Sequence, residues 1–391
     1  MSDAPTPLAG LKVIEFNHMV MGPTVGHILA GLGADVTRIE PIGGDRTRRL
    51  IGSGSGYFPM YNRGKKSICL DLKSEAGLQV AKDLCSTADI LVENFRPGAL
   101  ERLGLGYDAL AAVNERLIYC SEKGFLPGPY ENRTALDEVA QMMGGLAYMT
   151  GPPGQPLRAG ASVVDVTGGM FGVIGVLAAL EERHRTGRGQ LVMASLFETT
   201  IYLVGQHMAQ FAVTGKPAAP MPARVSAWAV YDVFQTRDEP VFIGVVTDPL
   251  WEKFCKLFGL DDLWAIEEYR ENNARVQARD VIIPQIRALI AAMTRDEVIA
   301  RLDGSGLPFA PIGKPEDMFD DPHLAQGGME EVTLDTGAVT RLPTIPLSMN
   351  GKRTASAHKL PRPGEDSEAV LAALGYDAAK IAALKADGAV G

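Results

Sequence analysis

The chain has 391 residues, of which 46% are apolar and 22% are charged, and its formal net charge is −9 at pH 7. This length predicts two domains, and the composition is that of a globular protein rather than a disordered or fibrous one. The acidic balance disfavours a general nucleic-acid binder or a membrane-surface protein, so an anionic ligand would need a local basic pocket.

Predicted elements alternate along the first half of the chain. Strand patterns occur at 11–16, 34–41, 67–72, 89–95 and 117–125, and helix patterns at 22–33, 74–88, 99–114 and 168–185. Strands separated by helices of this length imply right-handed βαβ units and a mostly parallel sheet. The last of these segments predicts a long buried helix, in which glycines permit close backbone contact.

The pattern changes after residue 198. A hairpin with its turn at 237–239 is followed by amphipathic helices near 249–258, 281–293 and 295–304, which predicts a smaller α+β domain. Pro-rich stretches on either side predict linkers. The boundaries that we expect are a large domain over 1–214, a linker over 215–226, the small domain over 227–311, a second linker over 312–345 and a C-terminal part over 346–391.

The cysteines and the N-terminus bear on the compartment. The cysteines lie far apart without Cys-x-x-Cys spacing, which fits a reducing cytoplasm and predicts no zinc site. The opening residues MSDAPTPLAG contain no basic region followed by an apolar core, so no secretory signal is expected. The longest strongly apolar run, 168–180, is shorter than the roughly 18 residues that span a bilayer. We therefore expect a cytoplasmic protein with no membrane partner.

Several common catalytic motifs are missing from the sequence. The dinucleotide fingerprint Gly-x-Gly-x-x-Gly should follow the first strand, but residues 17–26 are NHMVMGPTVG. The glycine-rich stretch 52–56 neither follows a clear strand nor opens a clear helix. No Walker loop, Gly-x-Ser-x-Gly elbow or HExxH motif is present. These observations disfavour nicotinamide redox chemistry, phosphoryl transfer and metallohydrolysis.

Basic residues mark the ends of four predicted strands, at Arg38, Lys73, Arg96 and Lys123. In an open parallel sheet the carboxyl ends of the strands line the ligand crevice. Each cation by itself could be an ordinary surface residue. Four of them in register favour an anion with several phosphates.

A lone acid, Asp165, lies between a β-branched run and an apolar helix in the stretch SVVDVTGG. The local sequence leaves two roles open, an N-cap that accepts backbone N–H bonds or a reactive carboxylate. A position near a helix N-terminus predicts that the ionised form is favoured. Apolar neighbours would leave this carboxylate poorly hydrated and hence a better nucleophile.

Five stretches of the sequence form a specific set: PLAGLKVIEF, GPTVGHILAGLGADVTRIEP, NRGKKSICLDLKSEAG, ADILVENFRPGALERLGLGYDAL and SVVDVTGGMFGVIGVLAALEERHRTGRGQ. Together they resemble a known superfamily, the class III CoA-transferases, which also contains the α-methylacyl-CoA racemases. The resemblance covers nearly the whole chain. It implies a large Rossmann-like α/β domain with a parallel sheet, built from both termini, a smaller domain between them, and an interlocked homodimer.

The resemblance also implies a mechanism. Asp165 matches the nucleophilic aspartate of the superfamily, which forms a mixed anhydride and then an aspartyl-CoA thioester. Coenzyme A thioesters are then substrates, and no permanently bound cofactor or metal is needed. The residues that match coenzyme A contacts, or the superfamily positions beside them, are His18, Met19, Val20, Arg38, Leu70, Lys73, Asn94, Phe95, Arg96, Arg102, Lys123 and Asp137.

Departures from the superfamily pattern reduce the number of candidate reactions. Racemases carry a histidine before the aspartate, whereas this chain has Leu136 before Asp137, so racemase activity is disfavoured. The glycine run of formyl-CoA transferases is reduced to Gly244, which disfavours a formyl and oxalate pair. A non-catalytic acyl-CoA-binding protein is the other alternative, against which the retained Asp165 argues.

We expect succinyl-CoA as donor and a small carboxylic or dicarboxylic acid as acceptor. A dicarboxylic acid would need a cation for its second carboxylate. The candidates are Arg46, Arg48, Arg49, Arg158 and Arg224.

Overall fold

A computed structural model describes residues 5–224, 226–354 and 359–391. The described chain divides into two compact units. One contains the residues up to Pro222 together with those from Pro322 onward, and the other contains Ala223–Asp321.

The larger unit contains a six-stranded parallel sheet, as the alternating pattern predicted. Its order is β3-β2-β1-β4-β5-β6, so the chain reverses direction across the sheet between β1 and β4. Ligands of open α/β sheets bind at the carboxyl ends of strands beside such a reversal. The strands are β1 (Lys12–Phe16), β2 (Asp35–Glu40), β3 (Lys66–Cys69), β4 (Ile90–Glu93), β5 (Ile118–Lys123) and β6 (Leu191–Ser195).

Helices cover both faces of this sheet. On one face α1 and α7 bury Val25, Leu29 and Val176, and on the other α3 buries Val80 and Leu84. The helices up to the unit boundary are α1 (Met21–Gly31), α2 (Tyr57–Tyr61), α3 (Glu75–Ser86), α4 (Tyr107–Ala111), α5 (Asp137–Met143), α6 (Leu146–Thr150), α7 (Val163–Thr186) and α8 (Leu196–Thr214).

Three sequence expectations differ from this part of the fold. The helix predicted over 99–114 is wrong: a 3-10 turn, Glu101–Leu103, and the short α4 take its place. Gly104 separates them because its φ of 69° lies in the left-handed region, which ends a helix. The pattern also missed β6 and α8. β6 is an edge strand whose start is exposed, although its sequence, LVMAS, contains an apolar run of four residues.

The smaller unit packs a three-stranded antiparallel sheet against helices around Trp251, Phe254 and Ile286. The predicted hairpin is confirmed, because β7 and β8 pair antiparallel. Its elements are β7 (Tyr231–Phe234), β8 (Val241–Gly244), α9 (Asp248–Phe258), α10 (Asp261–Trp264), α11 (Asn272–Gln277), α12 (Arg279–Ala291), α13 (Arg295–Leu302) and β9 (Phe309–Pro311).

The chain then re-enters the larger unit. The stretch 312–345, expected to be a linker, contains an antiparallel hairpin. The last residues lie against β3, where Leu70 bridges to Val390 and the Gly391 N–H donates to the Cys69 carbonyl at 3.0 Å. The elements are β10 (Met329–Thr333), β11 (Val339–Pro343), β12 (Ser348–Met349), β13 (Lys352–Arg353), α14 (Ser367–Ala373) and α15 (Ala378–Ala386).

Helix α7 has two different apolar faces. By length and composition it could cross a membrane, but core helices pass the same test, and α7 packs against α1, β5 and β6. The long buried helix expected over 168–185 is present and buried on one face, whereas Met170, Ile174 and Leu177 on the other face are 40%, 59% and 39% exposed. Its buried face is glycine-rich because α1 lies too close for side chains. A Cβ on Gly169 would lie 2.7 Å from the Met21 carbonyl oxygen.

The contact between α1 and α7 should therefore not tolerate a methyl group at residue 169. We expect Gly169→Ala to lower the free energy of unfolding by about 1–3 kcal/mol through overpacking. Gly205→Ala on α8 is the matched control, since a Cβ there meets no atom within 4 Å. The helix propensity of alanine should make the control neutral or slightly stabilising. Urea unfolding of both variants measures this, and equal stabilities would contradict the close packing.

Candidate active site

Asp165 is the third residue of α7, where backbone N–H groups have no partner within the helix. The side chain that caps these groups belongs to Asp137 on α5. Its Oδ2 accepts hydrogen bonds from the backbone N–H of Val164 at 2.9 Å and of Asp165 at 3.0 Å. Ser162, at the N-cap position, makes no side-chain cap bond. Asp165 is therefore not the cap, and its own carboxylate is left for another role.

The capping carboxylate is itself held in place. Gln141, one turn further along α5, donates its amide N–H to Asp137 Oδ1 and accepts the Ala159 backbone N–H on its Oε1 at 2.9 Å. The neighbouring Arg158 guanidinium pairs with Glu138. Residues of α5 and of the loop before α7 thus form one connected polar cluster around the start of α7. We call these residues, Asp137, Glu138, Gln141, Arg158 and Asp165, the α7 cluster.

The pKa of Asp165 is raised to about 7. Burial is the largest cause, and the negative charges of Asp137 and Glu138 add to it, while Arg158 acts in the opposite direction. The expectation that a helix N-terminus keeps this acid ionised was wrong, since Asp137 already occupies the free N–H groups. Near neutral pH the side chain is a mixture of acid and carboxylate, and its ionised form is a poorly solvated base.

Two further ionisable side chains face this region, and sequence reasoning missed both. Burial, followed by the charge of Asp165, raises the pKa of the Tyr61 hydroxyl. Glu122 on β5 is 2% exposed, and burial raises its pKa to about 8. Its Oε1 accepts the Cys120 S–H at 3.3 Å, and its Oε2 has no partner among the described residues. Glu122 lies between Ser121 and Lys123, so the local sequence gave no signal that its side chain is buried.

The loop after β1 lies at the reversal point of the sheet. Met19 has a φ of 63°, a rare conformation for a side-chain-bearing residue. Asn94, after β4, holds this loop, since its Oδ1 accepts the His18 backbone N–H and its Nδ2 donates to the His18 carbonyl, both at 2.9 Å. The His18 and Phe95 rings lie 5.6 Å apart, and Val20 is buried at the start of α1. Asn94 therefore shapes the loop.

A cavity of about 440 Å³ opens beside this loop, and we call it the strand-end recess. The Nδ2 of Asn17 is buried beside it without a partner among the described residues. Its lining is largely apolar and includes one exposed cation, Arg46. The lining residues are Asn17, His18, Met19, Ile39, Pro41, Asp45, Arg46, Thr47, Leu50 and Phe95.

The four cations predicted at strand ends have different environments. Arg38 lies inside β2, is fully buried, and bonds to Glu15 at 3.3 Å and Asn62 at 2.9 Å. Lys123 donates to Glu93 at 2.6 Å and to the Phe95 carbonyl at 2.7 Å. These two cations are occupied by protein groups. The cations among the predicted contacts that are exposed are Lys73, Arg96 and Arg102.

The arginines considered as partners for the second carboxylate of a dicarboxylic acid also differ in their environments. Arg48 is 3% exposed, bonded to Glu40 at 2.7 Å, with its guanidinium 3.7 Å from the centre of the Phe58 ring. Arg49 is exposed and donates to the Gly43 carbonyl at 3.0 Å. Arg46 lines the strand-end recess, and Arg224 lies in the smaller unit. Arg158 is the arginine of this set that belongs to the α7 cluster.

Within the described ranges, no group of three or more His, Cys, Asp or Glu side chains could hold a metal ion.

The raised pKa of Asp165 predicts a pH-dependent stability. The folded state keeps the proton up to about pH 7, whereas the unfolded chain releases it near the ordinary value of 3.8. Wild-type stability should therefore fall between those pH values through this group and change no further above them. We expect Asp165→Asn to raise Tm by a few degrees at pH 8, with the difference shrinking toward pH 4. Calorimetry across pH measures this.

The exposed Asp387 provides the control for this measurement. Asp387→Asn should give no Tm difference that grows between pH 4 and pH 7. A flat difference for Asp165→Asn as well would contradict the buried, proton-retaining carboxyl group.

Comparison with known proteins shows the family of this chain. The family model of CoA-transferase family III matches residues 8–367. The acetyl-CoA:oxalate CoA-transferase of Acetobacter aceti is 36% identical over 352 residues, covering 88% of this chain and 90% of that protein. The succinate–glutarate CoA-transferase of Agrobacterium fabrum is 32% identical over 396 residues, covering 96% and 98%.

Solved structures agree as well. A CAIB/BAIF family protein from Brucella suis superposes with a TM-score of 0.83 at 32% sequence identity, covering 95% of this chain and all of that chain. The resemblance noted in the sequence is thus confirmed over almost the full length. The chain belongs to CoA-transferase family III and is a CoA-transferase.

Proposed function

We propose that this enzyme moves coenzyme A from an acyl-CoA, with succinyl-CoA as the preferred donor, to a small carboxylic or dicarboxylic acid, and that Asp165 is its nucleophile. The observation that carries the proposal is the Asp165 carboxyl group, which is half-buried at the start of α7, does not cap the helix, and has a pKa raised to about 7. A carboxylate with these properties is suited to attack a thioester carbonyl.

The reaction needs only carboxylates and the thiolate. Asp165 attacks the donor thioester carbon, the C–S bond breaks, and a mixed anhydride and coenzyme A thiolate form. The thiolate attacks the Asp165 carbonyl carbon and expels the donor acid, leaving an aspartyl-CoA thioester. The acceptor carboxylate then attacks the carbonyl carbon of the aspartyl-CoA thioester, the C–S bond breaks, and the thiolate is released as a second anhydride forms. Attack of the thiolate on the acceptor acyl carbon gives the new acyl-CoA and restores the Asp165 carboxylate.

The strand-end recess is suited to the nucleotide part of coenzyme A. The His18 and Phe95 rings provide aromatic surface for a base, and Arg46 provides a cation. The exposed Lys73, Arg96 and Arg102 are free to meet phosphates, whereas Arg38 and Lys123 hold the walls of the site. Held in this way, the thioester would be presented to Asp165 as an intramolecular reactant.

The substrate proposal draws on the named relatives. One is a succinate–glutarate CoA-transferase and another an acetyl-CoA:oxalate CoA-transferase, so the acids in both names include a dicarboxylic acid. Leu136, at the N-cap position of α5, has no ionisable proton on its side chain, and Asp137 beside it caps α7. Both observations support the transferase rather than the racemase reaction.

We further propose a homodimer, which the resemblance implies to be interlocked, in the cytoplasm. Its support is the apolar face that α7 and α8 leave exposed in one chain, bordered by a groove of about 340 Å³. Exposed apolar surface of this extent is typical of a protein interface. The most exposed side chains are Ile174, Tyr202, Met208, Phe211 and Val213.

The nucleophile is tested by trapping. After incubation with succinyl-CoA and then hydroxylamine or borohydride, intact-protein and peptide mass spectrometry should place the adduct on Asp165. Asp165→Ala should lose adduct and transfer by at least about a thousandfold, since a covalent step has no substitute, and coenzyme A binding should stay measurable. Retained turnover in Asp165→Ala would contradict the assignment.

The proposed coenzyme A site is tested by substituting two arginines, one exposed and one buried. Arg96→Ala should raise KM for the acyl-CoA about tenfold, through loss of a phosphate contact, while Tm stays unchanged. Arg38→Ala is the contrasting variant, because it leaves Glu15 and Asp45 buried without their cation and should lower Tm. Steady-state kinetics and calorimetry measure both effects. The opposite pattern, with a stability loss only in Arg96→Ala, would contradict this division of roles.

A further inference from the structure

Arg158 is fixed to the reaction centre through a chain of hydrogen bonds. It lies on the loop between α6 and α7, and the next residue, Ala159, is bound by Gln141. The same Gln141 holds Asp137, whose carboxylate accepts the Asp165 backbone N–H. The loop, α5 and the start of α7 therefore keep the guanidinium and the nucleophile in one cluster.

The guanidinium of Arg158 has donors to spare. Its Nη1 pairs with Glu138 and its Nε donates to the Ala159 carbonyl at 3.0 Å. The hydrogen bonds between described residues include none from its Nη2. The side chain is 31% exposed, so these donors are within reach of a ligand. An arginine has five N–H groups in a fork that fits a carboxylate, and this one uses only part of the fork.

The α7 cluster is rich in negative charge, so a dicarboxylic acid that reacts there needs a cation for its second carboxylate. The acids Asp137, Glu138 and Asp165 lie close together. The charges of Asp137 and Glu138 raise the pKa of Asp165, and the charge of Arg158 lowers it. An acyl group joined to Asp165 by one end would bring a second carboxylate into this negative environment. Without a cation that carboxylate would be repelled and poorly solvated.

Glu138 is a partner that can leave. Its side chain is 47% exposed, so on release from Arg158 it can turn toward water. An exposed ion pair of this kind is worth little, about 0–1 kcal/mol, and is readily exchanged. By contrast, Arg48 is held between Glu40 and an aromatic ring.

We propose that Arg158 determines acid specificity by binding the distal carboxylate of a dicarboxylic acyl group in place of Glu138. This inference rests on the proposed transferase function and adds to it the substrate class and the residue that selects it. Donor acyl group and acceptor acid are joined to Asp165 in turn, so the same guanidinium serves both half-reactions. A dicarboxylic pair, with succinyl-CoA as donor, is then preferred over acetyl-CoA and monocarboxylic acids.

The test compares two acid classes in the same variants. kcat/KM is measured for succinate and glutarate, and for acetate and propionate, in the wild type, Arg158→Gln and Arg158→Lys. We expect the wild type to prefer the dicarboxylates. Arg158→Gln should lower the ratio of dicarboxylate to monocarboxylate kcat/KM by at least about tenfold, the loss of a charge-assisted bidentate contact, and Arg158→Lys should fall between.

The ratio of dicarboxylate to monocarboxylate kcat/KM distinguishes a role of Arg158 in acid specificity from an effect of Arg158 on the ionisation of Asp165. Loss of positive charge beside Asp165 changes its ionisation for every acid alike, so an equal loss for both classes in Arg158→Gln would overturn the inference. A wild type without preference for dicarboxylates would overturn it too.

Glu138→Gln provides a variant with the opposite expected effect. Removing the competing carboxylate should lower KM for succinate and glutarate at least about twofold relative to acetate. An unchanged or raised relative KM would contradict the exchange of partners on Arg158.

Failure of the transferase proposal can be distinguished experimentally from failure of the Arg158 proposal. If the wild type transfers coenzyme A to no acid of either class and gives no trapped adduct on Asp165, both proposals are overturned. Transfer with an unaltered acid ratio in Arg158→Gln overturns only the role of Arg158.

Discussion

The hydrogen bonds from the start of α7 to the Asp137 carboxylate are the constraint on which the site depends. Because this carboxylate takes up the free N–H groups, the helix terminus no longer stabilises a charge on Asp165. Burial and the neighbouring acids then dominate, and they raise the Asp165 pKa to about 7. One carboxylate thus positions the backbone of another, and its charge helps to raise the pKa of that second carboxylate. Gln141 and the Arg158 loop hold this arrangement from the other side.

A second constraint lies behind β1, where charged groups are buried and paired. Glu15 accepts hydrogen bonds from Lys65 at 2.8 and 3.0 Å and from Arg38 at 3.3 Å. Removing one member of such a group leaves a buried charge without compensation, which costs about 3–5 kcal/mol. The same residues back the loop at Asn17, whose side chain accepts from Arg38. The floor of the strand-end recess is therefore set by an internal ion pair, and the exposed cations around it remain available.

Local pattern was sufficient for five strands of the parallel sheet, including the edge strand β3, and missed the sixth strand, β6. β1, β2 and β4 are buried on both faces, so their apolar runs were visible and their order along the chain implied a parallel sheet. The pattern missed the edge strand β6 although it contains an apolar run, and it missed the 312–345 hairpin, in which β11 alternates between exposed and partly buried residues. Glycine placement decided the rest, because Gly104 divides a segment that would otherwise continue as one helix.

By itself, the sequence determined the parallel α/β sheet, the family resemblance and the singling out of Asp165, because these follow from periodicity and from residues adjacent in the chain. Only the tertiary structure decided that Asp137, 28 residues away, caps α7 and leaves Asp165 free. It also decided which cations already have protein partners: Arg38 and Lys123 are bound by carboxylates, while Arg158 keeps unused donors. The physical reason is that burial and pairing arise between side chains distant in sequence, and these set a group's charge and availability.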